Sequence, residues 1–399
     1  MATTMTVNKD DAEVIITQQT IYDLGTWLSE EQKYTSTQLS FLQQEEHYLP
    51  LVALANDYWL IGALANKLKK SSVWSSVPVT LQNYLTELEY VYQQRSETIQ
   101  QETIFSCSQL IHNNIEVLIL KGAAHLFNGV ASPISNRYMS DIDLMVHESK
   151  LQGSIGVLEK KGYFSQEDDD EILIKANAHH HAAPLLRHNG ACYIELHRWA
   201  LPLSSQQLLQ TKEIWQHAIP LILADGVNVL QMHPTQQIIL AIAHSEISDS
   251  AFEDQHINLR QLFNLNSLAN HFAATINWSS VEEHFQRTNL THVLYAILFS
   301  TYKIFGLMTP LTKLDDINAK DHFFKGLVRF TITQGHEPKF NYLKRVFRGY
   351  RKQTIIDVYG KNGNFPLFSG RLKHLKRHTQ MVLKPRFLIR FVKRNLNSD

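Results

Sequence analysis

The chain has only two cysteines in 399 residues, Cys107 and Cys192. A disulfide framework is therefore excluded, and so scarce a thiol content fits a reducing, cytoplasmic setting. Both cysteines are expected to be buried small apolar residues rather than nucleophiles. No run of about 18 apolar residues exists, so no transmembrane segment is expected. The nearest approach, "LYAILFSTYKIFGLM", is short and carries Lys303. The opening residues "MATTMTVNKDDAEVIITQQT" lack a basic stretch followed by an apolar one, which argues against a signal peptide. Net charge is also lacking: 38 Lys and Arg balance 38 Asp and Glu, so the whole molecule carries no strong field for nucleic acid. No internal repeat is visible. No GxxxxGK[ST], no GxGxxG after a strand and no GxSxG occurs, which removes the P-loop, dinucleotide-fold and nucleophile-elbow readings.

What is present is an ordinary globular composition, 44% hydrophobic and 19% charged, long enough for two or more domains. The charge is unevenly spread. Between Glu337 and Asp399 sixteen Lys and Arg stand against three acids, a local excess of +13, so the remainder carries −13. In "FPLFSGRLKHLKRHTQMVLKPRFLIRFVKRNLNSD" basic residues interleave with Leu, Phe, Ile and Val. Read as a helix broken near Pro385, this tail has three possible destinations: an anionic membrane surface, an acidic partner or the molecule's own core.

The chain divides by texture. Residues 1–35 are polar and weakly patterned. Residues 36–114 carry apolar residues at helical spacing and read as two or more long helices ending near Asn114. Residues 115–200 change to short β-prone runs, "EVLIL" (116–120), "DIDLMV" (141–146) and "EILIK" (171–175), with a helix stopping at Gly162. Asn189-Gly190 is a type I′ turn signal between two β-like runs ending in "CYIELHR". After Trp199 helical texture returns over 201–350, followed by the basic tail 351–399. The expected fold is α+β: a small mixed β-sheet embedded between N-terminal and C-terminal helical regions.

The chemistry is concentrated in "SDIDLMV". Residues i and i+2 of a strand share a face, so Asp141 and Asp143 project together while Ile142, Leu144 and Val146 face the core. Two close carboxylates repel unless a cation neutralises them, and hard oxygen ligands suit Mg²⁺. In "CYIELHR", Tyr193, Glu195 and His197 share one face. Should that strand lie beside 141–146, three carboxylates converge, as two-metal phosphoryl chemistry requires. Glu195 and Asp143 carboxylates are then expected about 4–7 Å apart. The bland alternative for the acid pair is the solvated face of an edge strand.

The supporting residues each have two readings. Gly122 opens a helix after a strand, as an anion-binding turn or a simple one. Lys121 is a point charge for a triphosphate or a solvated strand end. Arg137 offers a fork to phosphate or pairs with one of the acids. His179, His180 and His181 invite a zinc reading, which is set aside because consecutive strand residues alternate faces and no cysteine set accompanies them. His180 and His181 contact nucleotide or acceptor, or form an exposed cluster. His197 positions substrate or makes a supporting hydrogen bond.

As a set, Lys121-Gly122, Arg137, Asp141 to Leu144, His180-His181 with Pro184-Leu185, and Glu195 to His197 resemble the bacterial family of uncharacterised nucleotidyltransferases, of the DNA polymerase β-like superfamily. The resemblance covers roughly residues 45–270. It departs at Gly122-Ala123, where many superfamily members carry Gly-Ser or Gly-Gly, and at Asn264, where an acid is expected, which weakens any role for the distal helix. The resemblance implies catalytic and metal-holding Asp141, Asp143 and Glu195, nucleotide contacts from Lys121, Gly122, Arg137, His180 and His181, Mg²⁺ (or Mn²⁺) as cofactor, and a nucleoside triphosphate as substrate. The expected reaction moves an NMP, AMP by preference, to a hydroxyl-bearing acceptor. Two alternatives stand beside it: a non-catalytic nucleotide-binding or interaction protein on the same fold, and an RNA- or protein-nucleotidylating partner of a toxin system.

Overall fold

The computed structural model describes residues 15–29, 42–167, 172, 179–188, 190, 192–311, 316–334, 350, 351, 355, 367–373 and 375. Helix α1 (Gln18–Leu28) lies in the stretch read as weakly patterned. Its Ile21, Leu24, Trp27 and Leu28 are buried at helical spacing, and Thr17 caps it through reciprocal hydrogen bonds with Thr20. Helices α2 (Glu45–Asp57), α3 (Ile61–Lys70) and the 34-residue α4 (Val79–His112) follow, the last ending beside Asn114 as expected.

A seven-stranded mixed sheet comes next. Strand β1 (Leu118–Ile119) leads into the short helix α5 (Lys121–His125), then β2 (Asp141–Met145), α6 (Leu151–Glu159), β3 (Tyr163–Ser165), β4 (Leu185–Arg187) and β5 (Tyr193–His197). Gly162, in the turn after α6, has φ +86°, which favours glycine. Strands β4 and β5 pair antiparallel, as the hairpin reading required, but residues 188–192 separate them and Asn189 lies outside the described residues. The strand expected at 171–175 also falls outside, apart from Ile172, which is helical.

The sheet does not stop at Trp199. Helix α7 (Thr211–His217) precedes β6 (Ile219–Ile222) and β7 (Asn228–Gln231), in a stretch expected to be helical. The hairpin signal was present: "IPLI" and "NVLQ" flank Asp225-Gly226, and Gly226 has φ +73°. The strand order is β3-β4-β5-β2-β1-β7-β6. Strand β2 is central, parallel to β5 and antiparallel to β1.

Helices α8 (Pro234–Ile242), α9 (Ala251–Asp254), α10 (Leu259–His271), α11 (Trp278–Arg287), α12 (Thr291–Phe305) and α13 (Ile317–Thr333) complete the body, with a π-helical turn over Ala243–Ser248. The α+β class and the placement of the sheet between helical regions agree with the expectation. Strand alternation divides the core in two. Ile142, Leu144, Val146, Ile194 and Leu196 pack with α4 and α6, together with the buried, free Cys107 and Cys192. Leu118, Leu120 and Met145 pack on the other face, against the helical body. Asp141 and Asp143 share the face of Met145, so the acids look into the seam between sheet and helices. Among the described residues no helix is long and apolar enough to cross a membrane. Most of the basic tail lies outside the described residues.

Candidate functional site

The parallel pairing of β2 and β5 sets Asp143 opposite Glu195 and Met145 opposite His197. This register follows from burial: any one-residue slip would turn Ile194 and Leu196, both fully buried, out of the core. Ligand atoms of Asp143, Glu195 and His197 all lie within 4.8 Å of one another. That lies within the expected carboxylate separation. Asp141 and Asp143 both line one cleft, the arrangement expected of an i, i+2 pair.

Asp143 is only 5% exposed, and a lysine ammonium and an imidazole meet its Oδ1. Lys121 Nζ donates at 2.9 Å and His197 Nε2 lies at 2.8 Å. Burial by itself would raise the Asp143 carboxyl. Lys121 and then His197 outweigh it and hold the group well below the usual carboxylate range. Glu195 follows the same logic: burial raises it, but the His197 hydrogen bond and His181 bring it down to about 2. Among the described residues no cation is in ion-pair contact with Asp141, and Ser140 Oγ donates to it at 3.2 Å. Burial and the neighbouring Asp143 and Glu195 carboxylates push it up, against Lys121. Conversely, burial disfavours the charged forms of Lys121 and His197, yet the acids raise both. His197 Nδ1 faces the Trp199 carbonyl at 3.3 Å, which directs Nε2 at the acids.

Lys121 is thus neither a solvated strand end nor directed at open solvent; it is the counter-ion of Asp143. It holds φ +48°, an uncommon conformation for a lysine. Beside it, a Cβ on Gly122 would lie 2.6 Å from Arg137 Nε. The guanidinium lies against the glycine backbone, and a side chain there would have to displace it. Arg137 Nη1 donates to Asn264 Oδ1 at 2.6 Å, so α10 reaches the site although Asn264 had weakened the case for it. An amide suffices where an acid was expected, because it presents the same acceptor oxygen. Burial, then the nearby Arg260, lowers Arg137 to about 9.

These groups surround a cleft of about 200 Å³ between the sheet and helices α8 and α10. His125, Gln237, Arg260 and Asn264 join Lys121, Gly122, Arg137, Asp141 and Asp143 in its wall. Sequence reasoning missed the first three and misjudged the fourth. The available signal was polar residues interrupting the apolar faces of α8 and α10, with Arg260 and Asn264 one turn apart. Buried polar atoms lack a hydrogen-bond partner here, among the described residues: His125 Nδ1, Arg137 Nε and Gln237 Oε1. Such atoms leave hydrogen-bonding capacity open at the cleft wall.

His180 and His181 do not line this cleft. They stand across β5 from β2, where His181 makes an antiparallel bridge with His197. His181 Nε2 is 3.7 Å from Glu195 Oε2. His179 and His180 lie in a bend rather than a strand, so the alternation assumed for the three histidines does not hold. Their rings gather instead, with centroids 4.2–4.7 Å apart. Burial, then the neighbouring His179, His197 and His181 rings, holds His180 well below its ordinary pKa.

In comparisons with known proteins, the model of a family described as uncharacterised nucleotidyltransferase matches residues 45–306. The match takes in the sheet, the acids and the cleft-lining helices. No curated protein and no solved structure matches the chain.

Proposed function

We propose the following reading on the premise that the chain belongs to the uncharacterised nucleotidyltransferase family. It transfers an NMP, AMP by preference, from a nucleoside triphosphate to a hydroxyl-bearing acceptor, in the manner of DNA polymerase β-like enzymes. The observation that carries this is the register placing Glu195 opposite Asp143 beside the polar cleft.

The donor set fits a hard divalent ion, Mg²⁺ or Mn²⁺. Asp141, Asp143 and Glu195 offer carboxylate oxygens on one sheet face, and Asp143 and Glu195 are held ionised in buried positions. When bound, such ions neutralise charge at the attacking and leaving oxygens of the transferring phosphoryl group. The chain's own groups do the rest. Lys121, released from Asp143 as the acids find another cation, is placed to meet the triphosphate. Arg137 and Arg260 add positive charge in the same cleft wall, and the Gly122 backbone leaves room for the Arg137 fork. Glu195 takes the proton of the acceptor hydroxyl as its oxygen attacks the α-phosphorus; pyrophosphate leaves. His180 and His181, beside Glu195, approach the nucleotide or acceptor from the opposite side of β5.

One observation favours a second reading. Lys121 and His197 already bond Asp143, so this acid is stable without any ion, as in a nucleotide-binding protein without catalysis. Pyrophosphate release and label transfer from α-labelled ATP, with Mg²⁺ or Mn²⁺ and candidate acceptors, together with melting curves, separate the two. Turnover supports transfer. A melting shift with nucleotide but no turnover supports the second reading. No shift with any of the four ribonucleotides at millimolar concentration would sink both.

A further inference from the structure

We propose that His179, His180 and His181 form a binding site for a divalent transition-metal ion of the zinc class, separate from the carboxylate site and next to it. The proposal goes beyond the nucleotidyltransferase reading and does not rest on it.

The geometry begins with the backbone. In an extended strand three consecutive side chains would alternate faces, and one ion could not reach all three. Here the chain bends at His179 and His180 before His181 enters its bridge with His197. One ligand nitrogen from each of the three histidines lies within 4.8 Å of the other two. Tetrahedral Zn–N bonds of about 2.1 Å place nitrogens about 3.4 Å apart, a closure within reach of modest side-chain rotation. His181 Nδ1 faces the Ala182 carbonyl at 2.7 Å, so Nε2, 3.7 Å from Glu195 Oε2, is the nitrogen assigned to the metal. A backbone carbonyl on the far ring nitrogen is the usual way a metal-bound imidazole is oriented.

The chemistry of the donors separates this site from the acids. Three imidazoles select borderline ions such as Zn²⁺ or Co²⁺ and offer Mg²⁺ nothing. Three protein ligands also leave a fourth position open. An ion here would fasten residues 179–181 to the edge of β5, and His181 Nε2 lies 3.7 Å from Glu195 Oε2. Metal at this position would therefore stiffen the strand that presents Glu195.

The test uses the full chain, stripped with chelator and titrated with Co²⁺, read by visible absorption and by metal content after gel filtration. Wild type is expected to retain one equivalent with tetrahedral absorption bands in the presence of excess Mg²⁺. Asp143→Asn should retain it as well. His179→Ala with His180→Ala should weaken Co²⁺ binding at least about tenfold and remove the bands, since even losing a supporting partner of a ligand has that effect. The single variant His179→Gln, which keeps size and polarity, should weaken binding in the same direction and guards against misfolding of the double variant. Unchanged Co²⁺ affinity and spectrum in the histidine variants would overturn the proposal. So would loss of the Co²⁺ signal in Asp143→Asn or its displacement by Mg²⁺, because the ion would then belong to the carboxylates.

Discussion

Asp143 in the sheet and Glu246 in the helical body are almost equally withdrawn from solvent, 5% and 8% exposed, yet they titrate in opposite directions. Glu246 sits in the π-helical turn with one hydroxyl donor, Ser245 Oγ at 2.8 Å, and burial pushes it up to about 7. Asp143 has Lys121 and His197 on a single oxygen and is held well below its ordinary value. Burial, then, does not make the site. The cations beside β2 do, and they are arranged with a direction. On the β1 side stand Lys121 and Arg137, suited to phosphate. On the β5 side His197 bonds Asp143, and His181 stands 3.7 Å from Glu195. The aspartates lie on the line between them.

The largest effect is expected from cutting that line. Asp143→Asn removes the carboxylate charge and leaves Lys121 and His197 without their anion. Nucleotide transfer should fall at least about a thousandfold, the scale of losing a central electrostatic group. The protein should also lose about 3 kcal/mol or more of stability, because breaking a buried pair leaves an uncompensated charge. Rate assays and denaturant melts report the two separately. Full activity in Asp143→Asn would abolish the distinction between the two acids.

Arg137→Gln tests the phosphate side alone. The guanidinium is a buried fork, bonded to Asn264 and resting against Gly122. Its loss should raise KM for nucleotide about 10- to 100-fold, the range of a charge-assisted hydrogen bond, while leaving divalent-ion binding by calorimetry unchanged. Gly122→Ala should move KM in the same direction by a smaller factor, since a Cβ would displace the same guanidinium. An equal loss of metal binding in either variant would show that the two sides are not separable.

The parts of this arrangement that were legible in the sequence were local ones. Asp141, Asp143 and Glu195 announced themselves because an acid at period two inside an apolar run has no place in a core. The opposition of Asp143 and Glu195 followed once the strands were set side by side. Arg260, Asn264, Gln237 and the β7 neighbour of β1 were not legible, because they arrive over a hundred residues after Lys121 and meet it only through tertiary packing. The histidine cluster failed for a different reason. Its reading assumed an extended backbone, and a bend at two residues removes that premise. Asn264 shows a third kind of miss: the residue type suggested nothing, while the acceptor oxygen it shares with an acid decides its role.

The smallest effect on activity, and the sharpest on the comparison, is expected from Glu246→Gln. The folded-state pKa of about 7 lies above the ordinary 4.5. Below about pH 4.5 the carboxyl is protonated in both folded and unfolded chains, and no penalty exists. As pH rises the unfolded chain ionises first, so stability falls between about pH 4.5 and 7 and levels off above, with a total near 3 kcal/mol. A glutamine keeps a carbonyl for Ser245 and carries no charge. The variant should match wild type near pH 4.5 and exceed it by a few kcal/mol at pH 8, measured by denaturant melts across that range, with nucleotide transfer unchanged. The same amide substitution therefore stabilises at Glu246 and destabilises at Asp143 at neutral pH. If both variants moved stability the same way at pH 8, burial rather than the cations of the site would govern these acids, and the electrostatic account of the β2 seam would fail.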